Sequence, residues 1–395
     1  DQEDMDKENI NTNNIEELAE NDKEEKIDDS KQDYQDYKEA NLEHENADFE
    51  QEGQAVHECE GEDLLEEPVQ EPIQEPSVPQ YMYSGDNAQD NIIWMKEKNE
   101  LIFSSRNEIV LQSQDGSQQV FEDGHVSDIS SLAISQDYKL LASCAAAIDE
   151  DGTAPIIIWD LENGFTKKME LRSHQIGVKS LIFSSDGEFL ISQGVNEERT
   201  LVVWDVPEGT LIKSTVCPRH YNGLSLIDSC GDSKLMFATV GKECYRLWKI
   251  DFSKELLFFD VELPELELNL TSISVTPKLD IPYNSSVVLI GTEEGDVIIN
   301  NPENVQFLAK VNHVMRQPIT MIECQGNAIL LADATGGLVR HVITTGEQLF
   351  TEPGVIYRLD APVSAISFDE NLLEGHVGTT LNTFQYVSFV GEGIQ

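Results

Sequence analysis

From Tyr81 onward, short apolar runs of four to seven residues alternate with polar pairs ending in glycine: Asp115-Gly116, Asn163-Gly164, Asp186-Gly187, Glu208-Gly209 and Thr345-Gly346. Runs this short suit strands, and a glycine-bearing pair between two of them marks an antiparallel hairpin, because glycine takes the positive φ that tight turns require. No helix-length amphipathic segment interrupts the series, which argues against an alternating β-α fold.

The runs also repeat. Ile156-Ile157-Ile158-Trp159-Asp160 returns as Leu201-Val202-Val203-Trp204-Asp205 and again as Tyr245-Arg246-Leu247-Trp248-Lys249, with tryptophans 45 and 44 residues apart. A histidine precedes each run: His125, His174 and His220. Between them, Ser131-Leu132-Ala133-Ile134-Ser135 is echoed by Ser180-Leu181-Ile182-Phe183-Ser184, each followed by a turn and a further apolar run. Four strands per period of roughly 40 to 45 residues is the signature of a propeller blade. Later units lose the tryptophan and keep the hairpins, as in residues 287–299 and 328–337. The units begin at Asn91 and near Val126, Gly177, Gly223, Leu270, Pro318 and Ala361. The expected fold is therefore all-β, a seven-bladed β-propeller over residues 81–395.

Composition sets residues 1–80 apart. They hold 29 acidic and 5 basic side chains, and their charge of about −24 equals that of the remaining 315 residues. With few aromatic and β-branched residues, residues 1–66 cannot bury enough apolar surface to offset the entropy of ordering, and an acidic disordered tail is expected. Residues 67–80 repeat Glu-Pro-x-Gln and read as an extended, proline-rich spacer. A net charge of −48 works against binding to nucleic acid or to an anionic membrane. The six cysteines form no C-x-x-C pair, no apolar run reaches membrane-spanning length and no signal pattern opens the chain, so an intracellular, reduced environment is expected.

Catalytic chemistry is hard to find. The recurring histidines sit at blade spacing beside apolar strands, where buried structural hydrogen bonding explains them better than acid-base work. His57 and Cys59 have no second pair to complete a zinc site. Gly291 to Gly295 lacks the following Lys-Ser/Thr of a phosphate loop, and neither Gly-x-Ser-x-Gly nor His-Glu-x-x-His occurs. No enzymatic activity, metal, cofactor or small-molecule substrate is expected. Attention moves to the surface. Residues 167–254 carry a net charge of +1 while the rest of residues 81–395 carries −25, making Lys167, Lys168, Arg172, Lys179, Lys213 and Arg219 candidate partner contacts.

The Gly124-His125 pair and the closing Trp-Asp dipeptides resemble those of the WD-repeat family. That resemblance implies a hydrogen-bonded set of His, Ser/Thr, Asp and Trp in each blade. His125, Ser143 and Trp159 match it in one blade, His174, Ser192 and Trp204 in the next, and His220, Thr239 and Trp248 in a third, with Asp160 and Asp205 completing the closing Trp-Asp dipeptides of the first two. The aspartate of the set is absent where expected, and Thr153, Glu198 and Lys242 stand about six residues before the tryptophans. The stretch 124–206, with its enlarged loop 145–155, looks most like the cilia- and flagella-associated WD-repeat proteins inside doublet microtubules, and next like the echinoderm-microtubule-associated-protein-like group. Members of the ciliary group carry a second propeller, which residues 1–395 do not include. The acidic tail is similar to that of another ciliary WD-repeat type at the radial-spoke base. The resemblance implies a non-catalytic scaffold in the axoneme with tubulin or axonemal neighbours as partners. A histone-binding or chromatin-assembly propeller and a ubiquitin-ligase substrate receptor are the alternative expectations.

Overall fold

The computed structural model describes residues 81–85, 90–121, 124–227, 235–251, 253, 255–263, 268–276, 285–344, 349–351 and 356–390. The chain divides into two units, Asp1–Ile73 and Gln74–Gln395, and every described residue belongs to the second. The expected tail and spacer, with His57 and Cys59, lie outside the described residues.

The second unit is a seven-bladed β-propeller. Its strands β1 to β27 form seven separate antiparallel sheets, each a simple meander in sequence order. Blade 1 spans residues 92–121, blade 2 129–174, blade 3 178–216, blade 4 221–260, blade 5 270–311, blade 6 319–358 and blade 7 363–388. Six blades have four strands and blade 7 has three among the described residues. Each meander forms because its turns are built for it. Gly116, Gly164, Gly187 and Gly209 take φ of +84°, +78°, +71° and +63° at the hairpins the sequence marks. Beside Gly187, Asp186 Oδ1 accepts the Glu188 amide at 3.0 Å and the Ser184 hydroxyl at 2.6 Å, holding the turn that joins the first two strands of blade 3.

A four-stranded sheet buries little by itself, so each blade needs neighbours on both flanks. Seven apolar clusters meet that need, one at each junction. Ile102, Ile109, Leu141 and Ile157 pack between blades 1 and 2, and Ile156, Ile158, Leu190 and Val202 between blades 2 and 3. The series continues through blades 3 and 4, 4 and 5, 5 and 6, and 6 and 7. The ring closes where Tyr83, Ile92, Phe103 and Ala365 join blade 1 to blade 7. There the Tyr83 hydroxyl donates to Asn91 Oδ1 at 2.7 Å and lies 2.7 Å from Ser364 Oγ. The Trp94 amide donates to Ser367 Oγ at 2.8 Å, and Lys96 pairs with Asp369 at 2.9 Å. Blade 7 is thus tied to blade 1 by side chains as well as by packing.

Candidate partner-docking arc

The expected structural sets come together to different degrees. Blade 3 has a complete relay: His174 Nε2 lies 2.8 Å from Ser192 Oγ, Trp204 Nε1 donates to the same oxygen at 2.9 Å, and His174 Nδ1 is 2.9 Å from Glu198 Oε1. Glu198 therefore fills the acid position that looked vacant in the sequence, its extra methylene supplying the reach. Its second carboxylate oxygen accepts the amides of Gln175 and Ile176 at 3.1 and 3.0 Å. Burial would raise its pKa, but the bonds from His174 and these amides outweigh it and hold the carboxyl below its usual range.

In blade 2, Ser143 Oγ bridges His125 Nε2 at 2.7 Å and Trp159 Nε1 at 2.9 Å. Thr153 faces Arg172 instead, leaving His125 Nδ1 buried without a partner. Burial pushes the His125 imidazole down to about 4.

Blade 4 corrects one expectation. His220 is exposed, and Tyr221 occupies the buried position, its ring edge-on to Trp248 at 6.4 Å. Only the bond from Trp248 Nε1 to Thr239 Oγ1, at 2.9 Å, remains of the set. The reason is spacing: His125 and His174 each stand four residues before the first strand of their blade, whereas His220 immediately precedes Tyr221, where that strand begins. The closing aspartates hold turns. Asp160 accepts the amides of Glu162 and Asn163 at 3.0 Å each, and Asp205 that of Glu208 at 3.1 Å.

The six candidate contacts do not form one surface. Lys167 and Lys168 are exposed on β8 (Thr166–His174), Lys213 is exposed on β12 (Thr210–Val216), and Arg219 is exposed on the connection to blade 4. β8 and β12 are the outermost strands of blades 2 and 3. Arg172 is committed within the chain: it forms a two-point pair with Asp149, at 3.0 and 2.6 Å, and a further pair with Glu170. These carboxylates hold the guanidinium above its ordinary range, and the pair ties Arg172 to the enlarged loop. Lys179 lies on β9 (Val178–Phe183), the innermost strand of blade 3, half-buried with its ammonium 3.3 Å from the Tyr221 carbonyl. It is not on the rim.

Lys167 pairs with Glu170 at 2.6 Å, and Arg219 donates to the Glu243 carbonyl at 2.6 Å. Lys168 and Lys213 keep their ammonium groups clear of any ion pair among the described residues. On the same strand as Lys213, Leu211 and Val216 are exposed. The rim of blades 2 and 3 therefore mixes available positive charge with bare apolar side chains, on a ring that elsewhere is strongly acidic.

Sequence reasoning missed a second feature. In the central channel a cavity is lined by Asp90, Gln193, Asn222, Thr271 and Glu323, among others. Asp90 meets the water of the channel but has protein all around it, and this desolvation pushes its carboxyl up to about 6. Glu323, half-buried, rises to about 7, chiefly through desolvation and secondly through the charge of Asp90. Glu323 is a lone acid within a strand and Asp90 sits at the bend before the first strand, with φ of +52°, and no motif marks either one. Among the described residues no three His, Cys, Asp or Glu side chains are grouped to hold a metal ion.

Comparison with known proteins agrees with the geometry. The WD domain, G-beta repeat family matches residues 116–157 and 165–205, so the chain carries two WD repeats, running from the last strand of blade 1 to the third strand of blade 3. Some relatives are named as WD-repeat proteins and others as cilia- and flagella-associated proteins. WD repeat-containing protein 90 of Mus musculus is 25% identical over 319 residues, covering 78% of this chain and 16% of that protein. Cilia- and flagella-associated protein 52 of Chlamydomonas reinhardtii is 31% identical over 227 residues, 56% of this chain and 35% of that one. The chain thus spans well under half of either relative. Among solved structures, a chain of the mitotic checkpoint complex superposes with a TM-score of 0.60 at 14% identity, covering 83% of this chain and 100% of that one, a likeness of fold alone.

Proposed function

We propose that this chain is a non-catalytic scaffold of the cilium or flagellum, docking axonemal proteins or the doublet microtubule through the rim of blades 2 and 3. The observation that carries the reading is the pairing of unengaged Lys168 and Lys213 with exposed Leu211 and Val216 on an otherwise acidic ring. Charge steers a partner to the arc while apolar contact holds it there. The cilia-associated relatives support the location. Tubulin is itself acidic, so direct contact with it is confined to this arc, and neighbouring basic proteins are the easier partners. The test is extraction of purified axonemes. The protein is expected to stay with the microtubule fraction in mild buffer, and a Lys168→Glu/Lys213→Glu variant to leave it at lower salt. Complete release of the natural protein into mild buffer would overturn the proposal.

A second reading, a histone-binding propeller, draws on the 29 acidic side chains of residues 1–80, which suit a basic partner. Capture of core histones by the full chain at moderate salt, lost when residues 1–66 are removed, would favour it.

A further inference from the structure

β16 (Leu256–Asp260) is the outermost strand of blade 4, and its sequence is Leu-Leu-Phe-Phe-Asp. Leu257, Phe258 and Phe259 are 45%, 52% and 49% exposed in succession. Exposed edges in stable sheets are normally guarded by charge, because their open row of backbone donors and acceptors invites another strand. Five of the other six outer strands follow that rule or open with polar residues, while β27 (Phe384–Ser388) of blade 7 is uncharged but has a single large exposed side chain, Tyr386, in place of three in a row. β8 carries Lys167 and Lys168, and β12 carries Lys213; β20 (Gln306–Val311) has Lys310, β24 (Ile356–Arg358) has Arg358, and β4 (Gln118–Phe121) opens with two glutamines. β16 has no basic residue, and its one charge, Asp260, is already neutralised by Arg246, whose Nε and second guanidinium nitrogen donate at 2.6 and 2.9 Å.

The two faces of β16 are both apolar. Phe258 lies opposite Trp248, with the Arg246 guanidinium stacked 4.2 Å from its ring centre, while Leu257 and Phe259 face the other side opposite Lys249 and Leu247. A strand that extends the blade must therefore be apolar on both faces, a requirement β16 itself meets.

We propose that β16 is a self-association edge, pairing antiparallel with β16 of a second copy of this chain about a two-fold axis at Phe258. In that register Leu257 lies across from Phe259 of the second copy, and Phe258 from Phe258, contacts of the kind that stabilise neighbouring strands. Antiparallel pairing sets the two Asp260 side chains at opposite ends, where a parallel arrangement would crowd them. Residues 255–267, which contain β16, hold five acidic and no basic side chains, so charge opposes the pairing and apolar contact has to carry it. The closed two-fold geometry stops growth at a dimer. A five-residue edge is small beside a standard interface, so the dimer is weak.

Sedimentation equilibrium of the full chain tests this. The weight-average mass is expected to rise from 44.3 kDa toward twice that value as concentration increases. Raising salt from about 0.05 to about 0.5 M is expected to strengthen the dimer, because screening removes repulsion between the acidic bodies. A Leu257→Lys/Phe259→Lys variant, which leaves Phe258 on Trp248 and Arg246, is expected to remain at 44.3 kDa throughout with an unchanged melting temperature. A natural chain that stays monomeric at several hundred micromolar, or a variant that dimerises equally well, would overturn the assignment.

Discussion

Ser192 concentrates much of blade 3 on a single hydroxyl, which serves both His174 and Trp204. Ser192→Ala leaves two buried ring nitrogens without their partner, and a loss of about 2–3 kcal/mol is expected in urea unfolding. Thr239→Val in blade 4 removes only the Trp248 bond and should cost about 1 kcal/mol. A loss at Thr239 as large as at Ser192 would contradict the graded relay. His125 gives a pH signature. Its pKa is about 4 folded against 6.5 in the unfolded chain, so its contribution is complete above pH 6.5 and is lost as pH falls toward 4. The loss approaches about 3 kcal/mol on full protonation. His125→Asn should flatten the fall in melting temperature between pH 6.5 and 4, and an unaltered slope would rule the group out. At this scale the sequence displayed the residue types but not always their positions. Glu198 looked like a departure because Glu is longer than Asp, yet that length is what closes the relay. His220 matched by type and was displaced by spacing, a signal present in the chain as one intervening step in place of four.

Strands and turns were the most legible features. A hairpin announces itself locally, through alternation and a glycine at positive φ, and so blades 5 to 7 could be read without their tryptophans. Close approach between connections left no such mark. A Cβ on Gly241 would stand 2.1 Å from the His220 carbonyl oxygen, and one on Gly177 2.1 Å from that of Ala146. Gly241→Ala must therefore shift backbone, and a loss of about 1–3 kcal/mol is expected by thermal or urea unfolding, against almost none for Gly116→Asn, whose turn opens to solvent. Equal stability of the Gly241 variant and the natural chain would show that the connection has slack. The enlarged loop 145–155 was visible as an insertion, but its anchor was not. Arg172, read from sequence as a surface charge, is bound by carboxylates from the loop and from its own strand.

Across the whole molecule, seven sheets bury one another's flanks and enclose a channel holding two carboxyls with raised pKa. Glu323 binds its proton more tightly folded than unfolded, so its cost is absent below about pH 4.5 and grows as pH rises through 7. Glu323→Gln should therefore raise the melting temperature by a few degrees at pH 8 and by much less at pH 5; a uniform effect would mean that charge in the channel is not the cause. Charge counting in the sequence located a near-neutral stretch, but only the fold separates Lys168 and Lys213, free on the rim, from Arg172 and Lys179, which are occupied. The most direct measurement is cross-linking mass spectrometry on native axonemes, read at Lys168 and Lys213. The account predicts links from these two lysines to axonemal proteins, while exposed Lys98 and Lys139 on blades 1 and 2 remain without partner links. Partner links confined to those other lysines, with Lys168 and Lys213 unmodified by any neighbour, would contradict it.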